Sequence, residues 1–105
     1  MTTVFEGQML IDGELVESVS GERFDSINPV NEELIGSVPR ANADDVERAY
    51  QAARRAQAEW AETDMGHRIK IMNEFAHNLG SRKEEIAELE VRDTGCLLYT
   101  SDAAD

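Results

Sequence analysis

Residues 24–49, FDSINPVNEELIGSVPRANADDVERA, decide how this chain folds. Arg23 to Asn28 reads as a strand, with Phe24 and Ser26 on one face and Asp25 and Ile27 on the other. Pro29 fixes its own φ and pushes Asn28 toward extended geometry, so Asn28-Pro29 is a corner. Val30 to Glu33 is a polar turn, and Leu34 to Val38 is the returning strand, ended by Pro39. Gly36 inside that strand predicts a bulge or a close backbone neighbour. Asn42 is a good helix N-cap, and Asp44, Asp45 and Glu47 fall in the first turn, where the helix dipole favours carboxylates. Strand, corner, turn, strand and capped helix agree with one another, and such agreement specifies a fold.

Outward from this stretch, the pattern continues on both sides. Gln8–Ile11 and Leu15–Glu17 are short apolar runs flanking Asp12-Gly13, a pair suited to a type I′ turn with positive φ at both positions. A hairpin is expected there, with a further turn at Ser20-Gly21-Glu22. Downstream, Val46, Ala49, Tyr50, Ala53 and Trp60 recur in steps of three, four and seven and predict one apolar helix face, with Ala56 filling in. Arg48, Arg54, Arg55 and Glu59 fall largely on the opposite side. Thr63-Asp64 is a break and a second cap. Met65, Ile69, Met72, Phe75, Ala76 and Leu79 then form another stripe. Ser81-Arg82-Lys83-Glu84 has the form of a capping box and predicts a third helix, with Ile86 and Leu89 facing inward and Asp93-Thr94-Gly95 as its stop. The expected class is α/β: a β-hairpin and strand meander over about 8–38, then helices over about 43–61, 65–79 and 82–92.

Composition bounds the function. The chain has 105 residues, one domain at most or a piece of a larger one. Its net charge of −12 argues against nucleic acid, since phosphate binding needs a basic stripe. The same charge disfavours anionic membrane surfaces, and no apolar run approaches the roughly 20 residues of a membrane helix. MTTVFEGQML lacks the charged-then-apolar order of a secretory signal, and one cysteine makes no internal disulfide, so the cytoplasm is the expected compartment.

The residues that carry chemistry elsewhere form no set here. Cys96 has no base near it in sequence. His67 and His77, ten residues apart, point to different sides of a helix and with Glu74 miss the i, i+4 zinc spacing. Glu84, Glu85, Glu88 and Glu90 read as a solvated face with Arg82, Lys83 and Arg92. Gly7, Gly13 and Gly21 are too scattered for a phosphate loop, and Tyr50 and Trp60 read as core. No catalytic or cofactor-binding residue is expected in the chain.

The ordered run LIDGELVESVSGERFDSINPVNEELIGSVPRANADDVERAYQAARRAQAEW resembles the N-terminal region of the NAD(P)-dependent aldehyde dehydrogenase superfamily. The marks are the IDG turn, SGE-x-F-x-x-INP, the E-x-IG-x-VP strand, the helix D-D-V-x-x-A-x-x-A-A-R-x-A with its distal tryptophan, and the later E-E-I-A-E-L-E and D-T-G. The resemblance runs from about Met9 to Gly95. It implies a truncated part of the aldehyde dehydrogenase fold. In that family a cysteine attacks the aldehyde to form a thiohemiacetal, a hydride passes to NAD or NADP to leave a thioester, and a glutamate-activated water releases the acid. Those catalytic residues and the cofactor loops belong to sequence beyond this chain, so the chain is expected to be inactive alone and to work in a homo-oligomer with a small aldehyde as substrate. The resemblance also implies a structural monovalent cation held by the Ile27 backbone carbonyl and the Asp93 carboxylate. The family pattern Asp-x-Gly-Lys-Pro breaks at Cys96, and residues 96–105 are expected to be a non-native tail after a native 1–95. A stand-alone acidic interaction or oligomerisation module without catalysis is the alternative reading.

Overall fold

The computed structural model describes residues 4–95. Five strands precede three helices: β1 Phe5–Glu6, β2 Met9–Ile11, β3 Glu14–Val16, β4 Arg23–Ile27, β5 Leu34–Pro39, α1 Ala43–Glu62, α2 Met65–Ser81 and α3 Lys83–Thr94. The break expected at Cys96, and the reading of 96–105 as foreign, lie outside the described residues.

The hairpin β2–β3 is antiparallel, with Met9 opposite Val16 and Ile11 opposite Glu14. Its turn has φ of 54° at Asp12 and 76° at Gly13, the positive pair that a type I′ turn requires. The second sheet has the order β1-β5-β4. β4 and β5 are antiparallel, whereas β1 runs parallel to β5. The register steps from Ser26–Gly36 to Ile27–Leu34, so Ile35 is the extra residue of a bulge. Gly36 also has the close backbone neighbour: a Cβ there would lie 2.1 Å from the Phe5 carbonyl oxygen. Both expectations for Gly36 are therefore met.

β5 is the central strand, and Ile35 is buried at 4% exposure. Arg23 ties the strands beside it. Its guanidinium donates to the carbonyls of Gly7 and Ser37 at 2.8 and 3.0 Å, and to both Glu17 carboxylate oxygens at 2.8 and 2.6 Å. On the outer side of β4, Arg40 stacks over the Phe24 ring at 5.0 Å.

α1 begins as the sequence predicts. Asn42 accepts from the Asp45 N–H at 3.0 Å, and the Asp45 carboxylate accepts from the Asn42 N–H at 2.9 Å, a reciprocal capping box. Asp64 caps α2 by accepting from the His67 N–H at 2.9 Å. Arg68 bridges the elbow between the two helices, donating to the carbonyls of Ala61 and Thr63 and lying over half-buried Trp60. Gly95, at φ 76°, ends α3.

Three expectations need correction. Ser81 does not cap α3; it is the last residue of α2, where its hydroxyl donates to the Asn78 carbonyl, and α3 begins at Lys83 with Arg82 in the N-cap position making no side-chain cap. Ile86 is exposed while Leu89 is half-buried, so of the two only Leu89 turns inward. α1 buries Asp45 and Ala52, with Ala49 half-buried, and this side faces the hairpin. The periodic stripe of Val46 and Tyr50 points to solvent at 62% and 52% exposure. Among the described residues nothing covers this face.

Candidate functional site

Among the described residues, two clusters of polar side chains joined from distant sequence bear on the candidate site. The first is centred on Asp45, 1% exposed. Its carboxylate accepts from the Ser18 hydroxyl at 2.6 Å, the Val19 N–H at 3.0 Å, the Asn42 N–H at 2.9 Å and the Arg48 guanidinium at 3.0 Å. These donors, the Ser18 hydroxyl first and the Asn42 and Val19 amides next, hold the carboxyl well below the usual carboxylate range; burial acts the other way and is outweighed. The cluster welds the loop after β3 to the start of α1. Every oxygen is occupied by a donor from the protein itself, so this is a structural joint with no room for a substrate. Sequence reasoning placed Asp45 among ordinary first-turn carboxylates. The N-x-x-D spacing of Asn42 and Asp45 was the signal that could have revealed its capping role.

The second cluster lies at the Asn28-Pro29 corner, where the sequence analysis placed Ile27 and Asp93. The corner is closed on itself. Asn28 donates its N–H to the Glu33 carbonyl at 2.9 Å, its carbonyl accepts from the Glu32 N–H at 2.8 Å, and its side chain accepts from the Val30 N–H at 2.9 Å. Glu32 takes a φ of 62° to complete the turn. The end of α3 docks against this corner. The Ser26 hydroxyl donates to Asp93 Oδ1 at 2.5 Å, across 67 residues of sequence. Two residues on, a Cβ at Gly95 would meet Pro29 Cγ at 3.0 Å and Val30 Cγ2 at 3.2 Å. Ile27 follows Ser26 directly on β4, so the fold brings both named residues to one corner. Ser26 was not singled out by the sequence; no local pattern links a strand serine to a helix-end aspartate so far away.

The other candidates stay apart. His77 and Glu74 line an open groove along α2, while His67 lies by Trp60 at the elbow. Among the described residues, no group of three or more histidine, cysteine or acidic side chains is placed to hold a metal. Glu85 pairs with Arg82 at 2.7 Å on the exposed side of α3, and this hydrogen bond and charge keep the Glu85 carboxyl below its usual range. No described helix is long and apolar enough to cross a membrane.

The fold is mixed α/β, with a joint, a corner and open apolar helix faces among the described residues. This chain belongs to the aldehyde dehydrogenase family, whose model matches residues 15–104. It is 45% identical to aminoaldehyde dehydrogenase 1, peroxisomal, from Malus domestica, over 83% of this chain and 18% of that protein. Among solved structures, an NAD-dependent aldehyde dehydrogenase from Sinorhizobium meliloti superimposes with a TM-score of 0.88 at 33% identity, covering 91% of this chain and 20% of that one. Betaine aldehyde dehydrogenase from Staphylococcus aureus, in complex with NAD+, gives a TM-score of 0.85 at 40% identity over the same shares. The strand-then-helix order is that of the N-terminal part of the aldehyde dehydrogenase fold. The chain spans about a fifth of the length of the relatives it matches.

Proposed function

We propose that this chain serves as the N-terminal scaffold of an NAD(P)-dependent aldehyde dehydrogenase, a homo-oligomer that oxidises a small aldehyde to its carboxylic acid. The observation that carries this reading is the open apolar surface of the helices. Met65, Ile69, Met72, Phe75 and Leu79 of α2 are 75, 53, 57, 59 and 46% exposed, and α1 adds Val46 and Tyr50. Surface of this kind marks an interaction face. In this proposal the remainder of the enzyme covers it, since solved relatives that match this chain so well in shape are about five times its length.

On this reading the cysteine that adds to the aldehyde, the acid that activates water and the groups that hold the nicotinamide all lie outside residues 1–95. NAD or NADP would accept the hydride. This chain's own residues position rather than react: Arg23 holds the strands, Asp45 joins sheet to helix, and the Asn28-Pro29 corner seats α3. The donor chemistry at that corner, a backbone carbonyl at Ile27 and a carboxylate at Asp93, suits a hard monovalent cation. Bound there, such an ion would tie β4 to the end of α3. The tail at 96–105 is taken as foreign to this scaffold. The compartment we assign is the cytoplasm; the Malus domestica relative is by its name peroxisomal.

The test is to assay the purified 105-residue chain with NAD+ and NADP+ and a panel of aldehydes, alongside cofactor titration by calorimetry. No reduced nicotinamide and no binding heat are expected. Turnover or tight cofactor binding by the chain alone would refute the scaffold reading. A well-packed monomer that shows full near-UV circular dichroism and binds no apolar dye would favour the stand-alone module instead.

A further inference from the structure

We propose that Ser26 is the positioning residue for Asp93: its hydroxyl fixes the orientation of the carboxylate and thereby seats the end of α3 on the Asn28-Pro29 corner. The contact is 2.5 Å and joins residues 67 apart in sequence. Ser26 is half-buried on β4, so its hydroxyl is held by the strand, while Asp93 is exposed. The fixed partner therefore sets the freer one. A carboxylate accepts at two oxygens, and a donor locked onto Oδ1 determines where Oδ2 points. Hydrogen bonds of this kind, with an ionised acceptor, are short and strong.

The rest of α3 gives this contact its weight. Between the helix and the N-terminal edge of the sheet runs an open cleft of about 500 Å3, lined by Phe5, Glu6, Glu88 and Leu89 among others. Leu89 and Arg92 of α3 line this cleft with Phe5 and Glu6, and the last turn of the helix also reaches the corner through Asp93. There Gly95 packs closely on Pro29 and Val30, so that an added Cβ would have to displace their side chains by a few tenths of an ångström. With the hydroxyl removed, that turn loses one of its ties to the corner, the Gly95 packing remaining, and Asp93 loses its direction. The bearing on a cation at Ile27 and Asp93 rests on the proposed function; the seating of α3 does not.

The experiment is amide hydrogen exchange on the 105-residue chain with Ser26→Ala, Ser26→Thr, Asp93→Ala and the double variant, in choline buffer without small monovalent cations. Ser26→Ala is expected to speed exchange of the Thr94 and Gly95 amides about tenfold, the scale of one hydrogen bond to a charged group. The β4–β5 ladder amides, unchanged, show that the variant is folded. Ser26→Thr should restore wild-type rates, and the Asp93 side-chain carboxyl carbon resonance should move in Ser26→Ala and not in Ser26→Thr. The double variant should exchange no faster than Asp93→Ala alone, because both changes remove one interaction. Unchanged rates in Ser26→Ala, failure of threonine to rescue, or additive effects in the double variant would overturn the assignment. Since no candidate cation is present, failure of the cation reading is a separate result, seen as indifference of the Thr94 and Gly95 amides in the intact enzyme to added sodium or potassium.

Discussion

Replacing Gly36 with alanine is expected to detach β1 from the sheet and leave the other elements in place. The new Cβ would sit 2.1 Å from the Phe5 carbonyl oxygen and 2.8 Å from both the carbonyl carbon and Cβ of Phe5. Carbon–oxygen contacts normally close no nearer than about 3.3 Å, so the overlap exceeds roughly 1 Å. It falls on backbone, which has no rotamer through which to escape. Either β5 bends or β1 leaves. β5 is the central strand, and bending it would disturb the pairing on both sides; β1 is two residues long. Its departure gives up the pairing of Phe5 and Glu6 with Gly36 and Ser37, the Gly7 N–H to Ser37 carbonyl bond at 2.9 Å, and the Arg23 contact to the Gly7 carbonyl. At about 1 kcal/mol for each hydrogen bond, this loss is on the order of 3–4 kcal/mol. Against it stands the backbone entropy regained by residues 5–7, roughly 1–2 kcal/mol each. The two nearly cancel. The global stability of Gly36→Ala should therefore fall by at most about 1 kcal/mol, a urea midpoint shift of at most about 1 M, while the Gly7 amide loses its exchange protection. Hydrogen exchange with a urea titration reads both. A variant that keeps the Gly7 amide protected would show that β1 does not depend on this approach.

Three further outcomes follow from the same structure. Asn42→Ala removes the acceptor of the Asp45 N–H and should lower stability by about 1 kcal/mol in urea unfolding. Asp45 has its folded carboxyl pKa depressed, so its contribution is present above the unfolded value and is lost as the pH falls through and below about 4; acid titration followed by circular dichroism should show this loss, and Asp45→Asn should flatten it. Phe75→Ala should cost under about 1 kcal/mol in the isolated chain, where the ring is 59% exposed. Placed in a full-length aldehyde dehydrogenase, where the proposed scaffold role has the ring covered, it should cost about 3–5 kcal/mol; equal cost in both contexts would contradict the covered-face reading.

The features legible in the sequence are those whose causes are local. Asp12-Gly13 needs positive φ at both positions, and the turn is there. Asn42 and Asp64 cap the helices from their own first turns. Pro29 makes its corner and Gly36 its close approach. What stayed hidden depends on partners far away in the chain. β1 is two residues whose pairing is parallel and reaches across about thirty positions to β5, a contact without local signature. The burial of Asp45 comes from Ser18 and Val19 in a preceding loop. The apolar stripe of α1 is legible as a face, but its partner is not, because periodicity reports that a face is apolar without saying what covers it. Ser81 was read as a cap from a motif that α2 simply runs through. At the candidate site, Ile27 and Asp93 came from family resemblance, and Ser26, the residue that touches Asp93, came only from the fold.

The central claim is that residues 15–95 are a working scaffold for aldehyde oxidation that contributes no chemistry of its own. Its most direct test is a graft: these residues replace the corresponding segment of Staphylococcus aureus betaine aldehyde dehydrogenase, to which the chain is 40% identical. NAD+ reduction is then followed with betaine aldehyde as substrate. The account predicts an assembled, NAD+-reducing enzyme with kcat within about tenfold of the parent, the tolerance of one misplaced contact at about 1.4 kcal/mol. A graft that folds and assembles with every parental catalytic residue present, and yet fails to reduce NAD+, would contradict it.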